Sequence, residues 1–237
     1  IGNVGGTGLG LNALLGIDLR VGAVLSATLA IAIFLRPEAG RAMDWFAQIL
    51  GLLMIALALY VAIAAQPPYG RALISAVAPD RRELVPEGAS VTAALLPIVT
   101  IVGGTVGGYI TFAGAHGLID SGVTGPSRLG AITRSASLAI AVASIMRVIL
   151  FLGALGVVVR GIPLDPANPP ADVFRQVAGT VGYRLFGLVM WAAAITSVVG
   201  SAYTSVSFLR TLDARIDRNW RATTIGFIML STIVLLL

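Results

Sequence analysis

Apolar residues run along this chain in long blocks divided by short polar stretches. A helix that crosses a hydrocarbon core needs about 20 mostly apolar residues. Seven blocks approach that measure: Ile1 to Ile17, Val21 to Leu35, Trp45 to Ala65, Ala89 to Ala115, Ser137 to Val159, Leu185 to Leu209 and Ala222 to Leu237. The pattern predicts seven membrane helices and an all-α polytopic protein. Between the blocks, Gln66 to Gly88 holds Pro67, Pro68, Pro79 and Pro86, and Arg160 to Arg184 holds Pro163, Pro166, Pro169 and Pro170. Such proline-rich connections read as turns or short surface helices with no core of their own.

The fourth block departs from an ordinary membrane helix. Gly103 to Gly122 reads GGTVGGYITFAGAHGLIDSG. Each glycine weakens a helix by about 1 kcal/mol relative to alanine. A break at membrane depth bares backbone groups that lipid cannot satisfy, so that backbone must face protein or water. In transporters, broken helices build ion and substrate sites. The other reading is helix packing, because Gly104 and Gly108 form a GxxxG pair. Packing accounts for the glycines but not for Tyr109, Thr111 and His116 in the same block.

Composition sharpens the class. Hydrophobic residues make up 57% of the chain, charged residues 11%, and mean hydropathy is +0.93. Soluble domains carry about a quarter charged residues. With no cysteine, disulfides and thiolate metal sites are excluded. The net charge is +5 and all 16 basic residues are arginine, a balance that fits loops beside anionic lipid and not nucleic-acid binding. Eight arginines fall on the side of Arg36, Arg128 and Arg210, and seven on the side of Arg20, Arg71 and Arg160. The first set sits in shorter loops, which places that side in the cytoplasm. The apolar start at Ile1 and the apolar end at Leu237 read as an internal fragment.

Ionisable groups inside a membrane are functional candidates by default. His116 is the first. Asp120, four residues on, reads as the end of the span or as a partner of His116. Arg147, within SIMRVILF of the fifth block, reads as a structural partner in the bundle. Asn3 and Asn12 lie in the first block. Thr196, Ser197, Ser201, Tyr203, Thr204, Ser205 and Ser207 crowd the sixth, to bond across helices or to line water. No paired carboxylates, nucleophile–base set or phosphate loop is visible, so no enzyme and no cofactor are expected.

Two motifs resemble those of the NRAMP family of divalent-metal transporters, in its prokaryotic branch of NRAMP-related magnesium transporters. The family's third helix reads close to E-V-I-G-T-A-I-A-L-N-L-L-F-G-I, and Asn3 to Ile17 reads NVGGTGLGLNALLGI without a gap. The family's sixth helix carries Met-Pro-His where Gly114-Ala115-His116 stands here, and TVGGYITFAGAH is similar to the magnesium branch. The resemblance covers the whole chain, as the third to ninth of about eleven family helices. It implies a LeuT-type inverted-repeat transporter fold in a prokaryotic plasma membrane. Residues 1–65 would end the first repeat, 66–88 would be an extracellular connection, and 89–237 would form most of the second repeat.

The resemblance also implies a site. Gly114 takes the place of a thioether ligand, and Thr111 falls where the family offers a carbonyl. Soft sulfur favours transition metals, whereas Mg²⁺ takes oxygen ligands and keeps several waters. His116, Asn3 and Tyr109 are expected along the ion pathway. Asn3 replaces a glutamate and Ile225 an arginine of the family's proton route, so transport of Mg²⁺, and of Mn²⁺, is expected without proton coupling. The partners implied are the divalent cation and the bilayer, with a monomer as the working unit. Alternatives are a proton-coupled Mn²⁺/Fe²⁺ carrier of the ordinary type, or a non-transporting scaffold or sensor. In the full-length protein, Gly114→Met is expected to move selectivity from Mg²⁺ toward Mn²⁺. The ratio of the two fluxes in proteoliposomes reads it, and an unchanged ratio removes Gly114 from the site.

Overall fold

Where they are described, the apolar blocks close their backbone hydrogen bonds locally, as a chain in lipid must. The computed structural model describes residues 1–35, 40–78 and 122–237, with single positions between 90 and 119. Among the described residues the regular structure is helical throughout. The helices are α1 (Gly2–Leu15), α2 (Leu19–Phe34), α3 (Gly40–Ala64), α4 (Tyr69–Val77), α5 (Pro126–Val159), α6 (Pro169–Arg210), α7 (Ala214–Arg218) and α8 (Trp220–Leu236).

Local chemistry sets the boundaries. Gly16 ends α1 in the left-handed conformation, φ 74°, and its N–H donates to the Asn12 carbonyl. The Asn12 amide donates to the Ile17 carbonyl at 2.9 Å, so Asn12 shapes this turn. Asp18 then caps α2, accepting from the backbone N–H groups of Arg20 and Val21, which satisfies donors that a helix start leaves open. Proline at the first positions opens α5 and α6, where its missing N–H costs nothing.

Two helices, α5 and α6, are each long and apolar enough to cross a membrane. The count rises to four if two bent pairs are single spans: α1 with α2, turned by 113°, and Gln48–Ala64 with α4, turned by 103°. This count is of the described residues. Helices α1, with 14 residues, and α2, with 16, are about 21 and 24 Å long against a core of about 30 Å. The break between them falls where the sequence divides the first two blocks, with α1 ending at Leu15 and α2 starting at Leu19. The expected fourth span lies outside the described residues.

Helix α6 is the spine. Its 42 residues are broken at Gly179, φ 63° and ψ −160°, a conformation open to glycine almost alone. Phe174 and Phe186 stack across the break with centroids 4.3 Å apart. Twelve residues of straight helix would separate them by about 18 Å, so the arm before Gly179 folds back. The stretch from Thr180 to Arg210 alone is about 46 Å long, enough to cross without the arm Pro169–Ala178.

Helix α1 runs antiparallel against α6. Asn3 meets Ser201, Gly6 meets Ala194, Gly10 meets Trp191 and Leu14 meets Gly187. A β-carbon on Gly10 would stand 2.5 Å from the Trp191 backbone nitrogen, and one on Gly187 would stand 2.7 Å from the Leu14 nitrogen. Behind this seam, Ala23, Ala27 and Ala30 of α2 and Ile228 of α8 pack on Val4, Ile195 and Val198. On the other side, Leu57, Ala58 and Val61 of α3 meet Val157 of α5 and Phe186 of α6. Gly156 meets Ala65 as closely: a β-carbon there would lie 2.5 Å from the Ala65 carbonyl oxygen.

The ends of the bundle are distinct. Phe34, at the end of α2, makes an edge contact with Trp220 at 5.5 Å, which puts the ends of α2 and α6 and the start of α8 together. The other end gathers the close of α3, α5 and the α6 arm. There Arg160 donates to the carbonyls of Ala64, at 3.2 Å, and Ala65, and the Tyr69 hydroxyl donates to the Ala62 carbonyl at 2.9 Å. A helix end leaves such carbonyls open, and a cation there also favours the helix dipole.

Gly10→Ala is expected to destabilise the full-length protein by about 1–3 kcal/mol, the usual cost of overpacking. Gly200 of α6 has nothing within 4 Å of an added β-carbon, so Gly200→Ala is expected to leave the melting temperature unchanged or slightly raised. Thermal melting in detergent compares the two.

Candidate ion pathway

Of the residues expected at the ion site, Thr111, Gly114, His116 and Tyr109 lie outside the described residues, as does Asp120. Asn3 is described. It sits in the first turn of α1, exposed, and its amide donates to the Ser201 hydroxyl of α6 at 3.3 Å. Two members of the expected pathway and of the hydroxyl run are thus brought together across the α1–α6 seam.

The rest of the hydroxyl run is partly spent on its own helix. The Thr196 hydroxyl donates to the carbonyls of Ala192 and Ala193 at 3.1 and 2.9 Å. The Ser205 hydroxyl donates to the Ser201 carbonyl at 2.7 Å. Such back-bonding is an ordinary use of Ser and Thr in apolar helices. Thr196 also lines a cleft of about 380 Å³ between α3, α5 and α6, whose other walls include Leu50, Met54, Val142, Met146 and Val189. The apolar walls give an ion no ligands. Arg147 of α5 has a partner.

Titratable groups are scarce here. Helix α1 has none, and α6 between Thr180 and Leu209 has only Tyr183, Arg184 and Tyr203. Among the described residues no group of three or more His, Asp or Glu could hold a metal. The buried carboxylate is Asp172, only 2% exposed, on the arm before Gly179. Its oxygens accept from the Asp165 N–H at 2.9 Å, the Arg175 Nε at 2.6 Å and the Gln176 amide at 3.3 Å. Burial pushes its pKa up, but these donors outweigh burial and hold it below its ordinary value of 3.8. With its lone pairs taken, Asp172 is a structural anchor and not an ion ligand.

Sequence reasoning missed three of these contacts. Asp172 and Arg175 were visible as an i,i+3 pair, a spacing that permits contact. Arg160 was read only as a loop charge. The indole N–H of Trp191 donates to the buried Ser26 hydroxyl at 3.0 Å, a pair 165 residues apart that no local pattern marks.

An all-helical bundle with apolar faces and a nearly charge-free seam defines an integral membrane protein. The profile for natural resistance-associated macrophage protein-like proteins, Nramp, matches residues 1–237, and the chain belongs to that family. It is 52% identical over 233 residues to the uncharacterized membrane protein YcsG of Bacillus subtilis, covering 98% of this chain and 55% of YcsG. It is 51% identical over 235 residues to an uncharacterized membrane protein of Haemophilus influenzae, covering 99% of this chain and 56% of that protein. The chain thus spans about half the length of the curated relatives it matches. No solved structure matches it.

Asp172→Asn removes a charge-assisted set, and the full-length protein is expected to lose about 1–3 kcal/mol at neutral pH. The folded-state pKa is depressed, so the stabilisation is whole above the unfolded value near 3.8 and is lost as pH falls through the folded value. The melting gap between wild type and variant is therefore expected to close on acidification below about pH 4.

Proposed function

We propose that the full-length protein carries divalent cations into the cell, Mg²⁺ first and Mn²⁺ as well, without coupled proton movement. The Nramp match over the whole chain supports divalent-metal transport. The uncoupled mechanism rests on one observation above the rest, the neutral pair Asn3–Ser201. Where the family resemblance leads one to expect a carboxylate, an amide meets a hydroxyl. Neither group changes protonation near neutral pH. The fold in this reading is the LeuT-type inverted repeat, with the side of Arg36 and Arg210 in the cytoplasm.

The driving force is then electrical and chemical. A membrane potential contributes about 2.3 kcal/mol per elementary charge per 100 mV. For a divalent ion this is about 4.6 kcal/mol per 100 mV, enough for strong accumulation with no second ion. Thr111 and Gly114 supply oxygen ligands and space for water, and the remaining ligands come from segments beyond this chain.

Proteoliposomes of the full-length protein, loaded with a Mg²⁺ indicator or a pH indicator, test the reading. Inward Mg²⁺ flux that depends on an inside-negative potential is expected, with Mn²⁺ uptake suppressed by excess Mg²⁺. Lumenal pH is expected to stay level throughout. Acidification driven by Mn²⁺ would return the protein to the proton-coupled mechanism, and absence of any divalent flux would leave the scaffold or sensor.

A further inference from the structure

The connection between α6 and α8 carries four arginines in twelve residues: Arg210, Arg215, Arg218 and Arg221. Two aspartates, Asp213 and Asp217, lie among them. Their charges are not evenly used. Asp217 is engaged by Arg210 at 2.7 Å. Asp213 accepts from the backbone N–H of Arg215 at 2.7 Å and so caps α7. Arg215 and Arg218 are exposed and make no ion pair among the described residues.

An aromatic group fixes the depth of this corner. Trp220 begins α8 and is half-buried. Phe34 meets its ring at 5.5 Å and Tyr203 at 6.4 Å, both edge-on. The Arg210 and Arg221 guanidinium carbons each lie 5.6 Å from its centroid, within reach of a cation–π attraction. Tryptophan and tyrosine concentrate where hydrocarbon gives way to headgroups. The α8 helix that follows is apolar, so Arg215, Arg218 and Arg221 flank the start of an apolar helix, where headgroups would meet it.

We propose that this corner is a binding site for an anionic phospholipid headgroup, with the phosphate held by Arg215, Arg218 and Arg221 and the acyl chains beside Trp220. Charge complementarity selects the occupant. Guanidinium groups match phosphate oxygens in paired geometry, and Leu212, 69% exposed, offers apolar surface beside them. The site depends on the membrane location of the chain and not on the transport reading.

The test uses full-length protein in detergent, titrated with phosphatidylglycerol or phosphatidylcholine and read by native mass spectrometry. Each arginine near an anionic surface contributes about fivefold in affinity. The wild type is expected to prefer phosphatidylglycerol, and the Arg215→Gln/Arg218→Gln variant to lose about 25-fold of that affinity. Arg20→Gln, at the far end of the bundle, is expected to retain it. Thermal melting checks that each variant is folded. Equal binding of the two lipids by wild type, or an undiminished preference in the double variant, overturns the site. A loss of about fivefold in Arg20→Gln, the share of one charge, reduces the effect to overall charge and overturns it too. Displacement of the lipid by millimolar inorganic phosphate would mark a site for the free anion instead.

Discussion

Backbone contact between α1 and α6 is the constraint on which the rest of this chain depends. Lipid tails are as apolar as leucine, so helices in a bilayer gain little from hiding leucine from lipid. They associate through close packing, and close packing needs residues without side chains. Gly6 and Gly10 of α1 and Gly187 of α6 provide them. Once Gly10 lies against the backbone of Trp191, the indole of Trp191 is carried to Ser26 of α2. That bond joins a third helix to the pair, and the alanine stripe of α2 then meets Val198 and Ile228. One crossing thus sets the register of four helices.

The breaks in this bundle follow the same economy of backbone groups. An open carbonyl in hydrocarbon costs several kcal/mol, so every helix end needs a partner. The end of α3 recruits Arg160 and Tyr69 from two other segments. The break at Gly179 turns the α6 arm back until Phe174 stacks on Phe186, and Asp172 ties the arm to the preceding loop. These contacts hold the outer end of the bundle by polar and aromatic chemistry, where the inner seam is held by shape.

Much of this was legible in residue order. Hydrophobic blocks marked the described helices, and glycine or proline stands at several of their ends, at Gly16, Pro126 and Pro169. The first two blocks, Ile1 to Ile17 and Val21 to Leu35, became α1 and α2 with ends shifted by only one or two residues. What could not be read was where the long helices start: α5 begins at Pro126 and α6 at Pro169, where the blocks began at Ser137 and Leu185, because their more polar first turns carry no hydrophobic signal. Long-range pairs were equally hidden. Nothing local connects Trp191 with Ser26, or Arg160 with the end of α3, because those contacts depend on how helices cross. Of the candidate site, the sequence identified Asn3 and the hydroxyl run, and the structure joins Asn3 to Ser201. It also shows hydroxyls such as Thr196 and Ser205 bonded to their own helix, a use that composition cannot distinguish from lining a path.

The character of the α1–α6 seam bears on which ions can be handled beside it. A proton route needs a group whose pKa lies near working pH, and such a group must be charged in one of its states. Charge inside a membrane is expensive and needs a partner. The described seam offers amides, hydroxyls and glycine backbone, which do not titrate in the physiological range. Such a surface packs closely without burying a charge. The same substitutions that make the seam pack closely therefore make it neutral. Close packing and the absence of buried charge are two consequences of one choice of small, uncharged residues along α1.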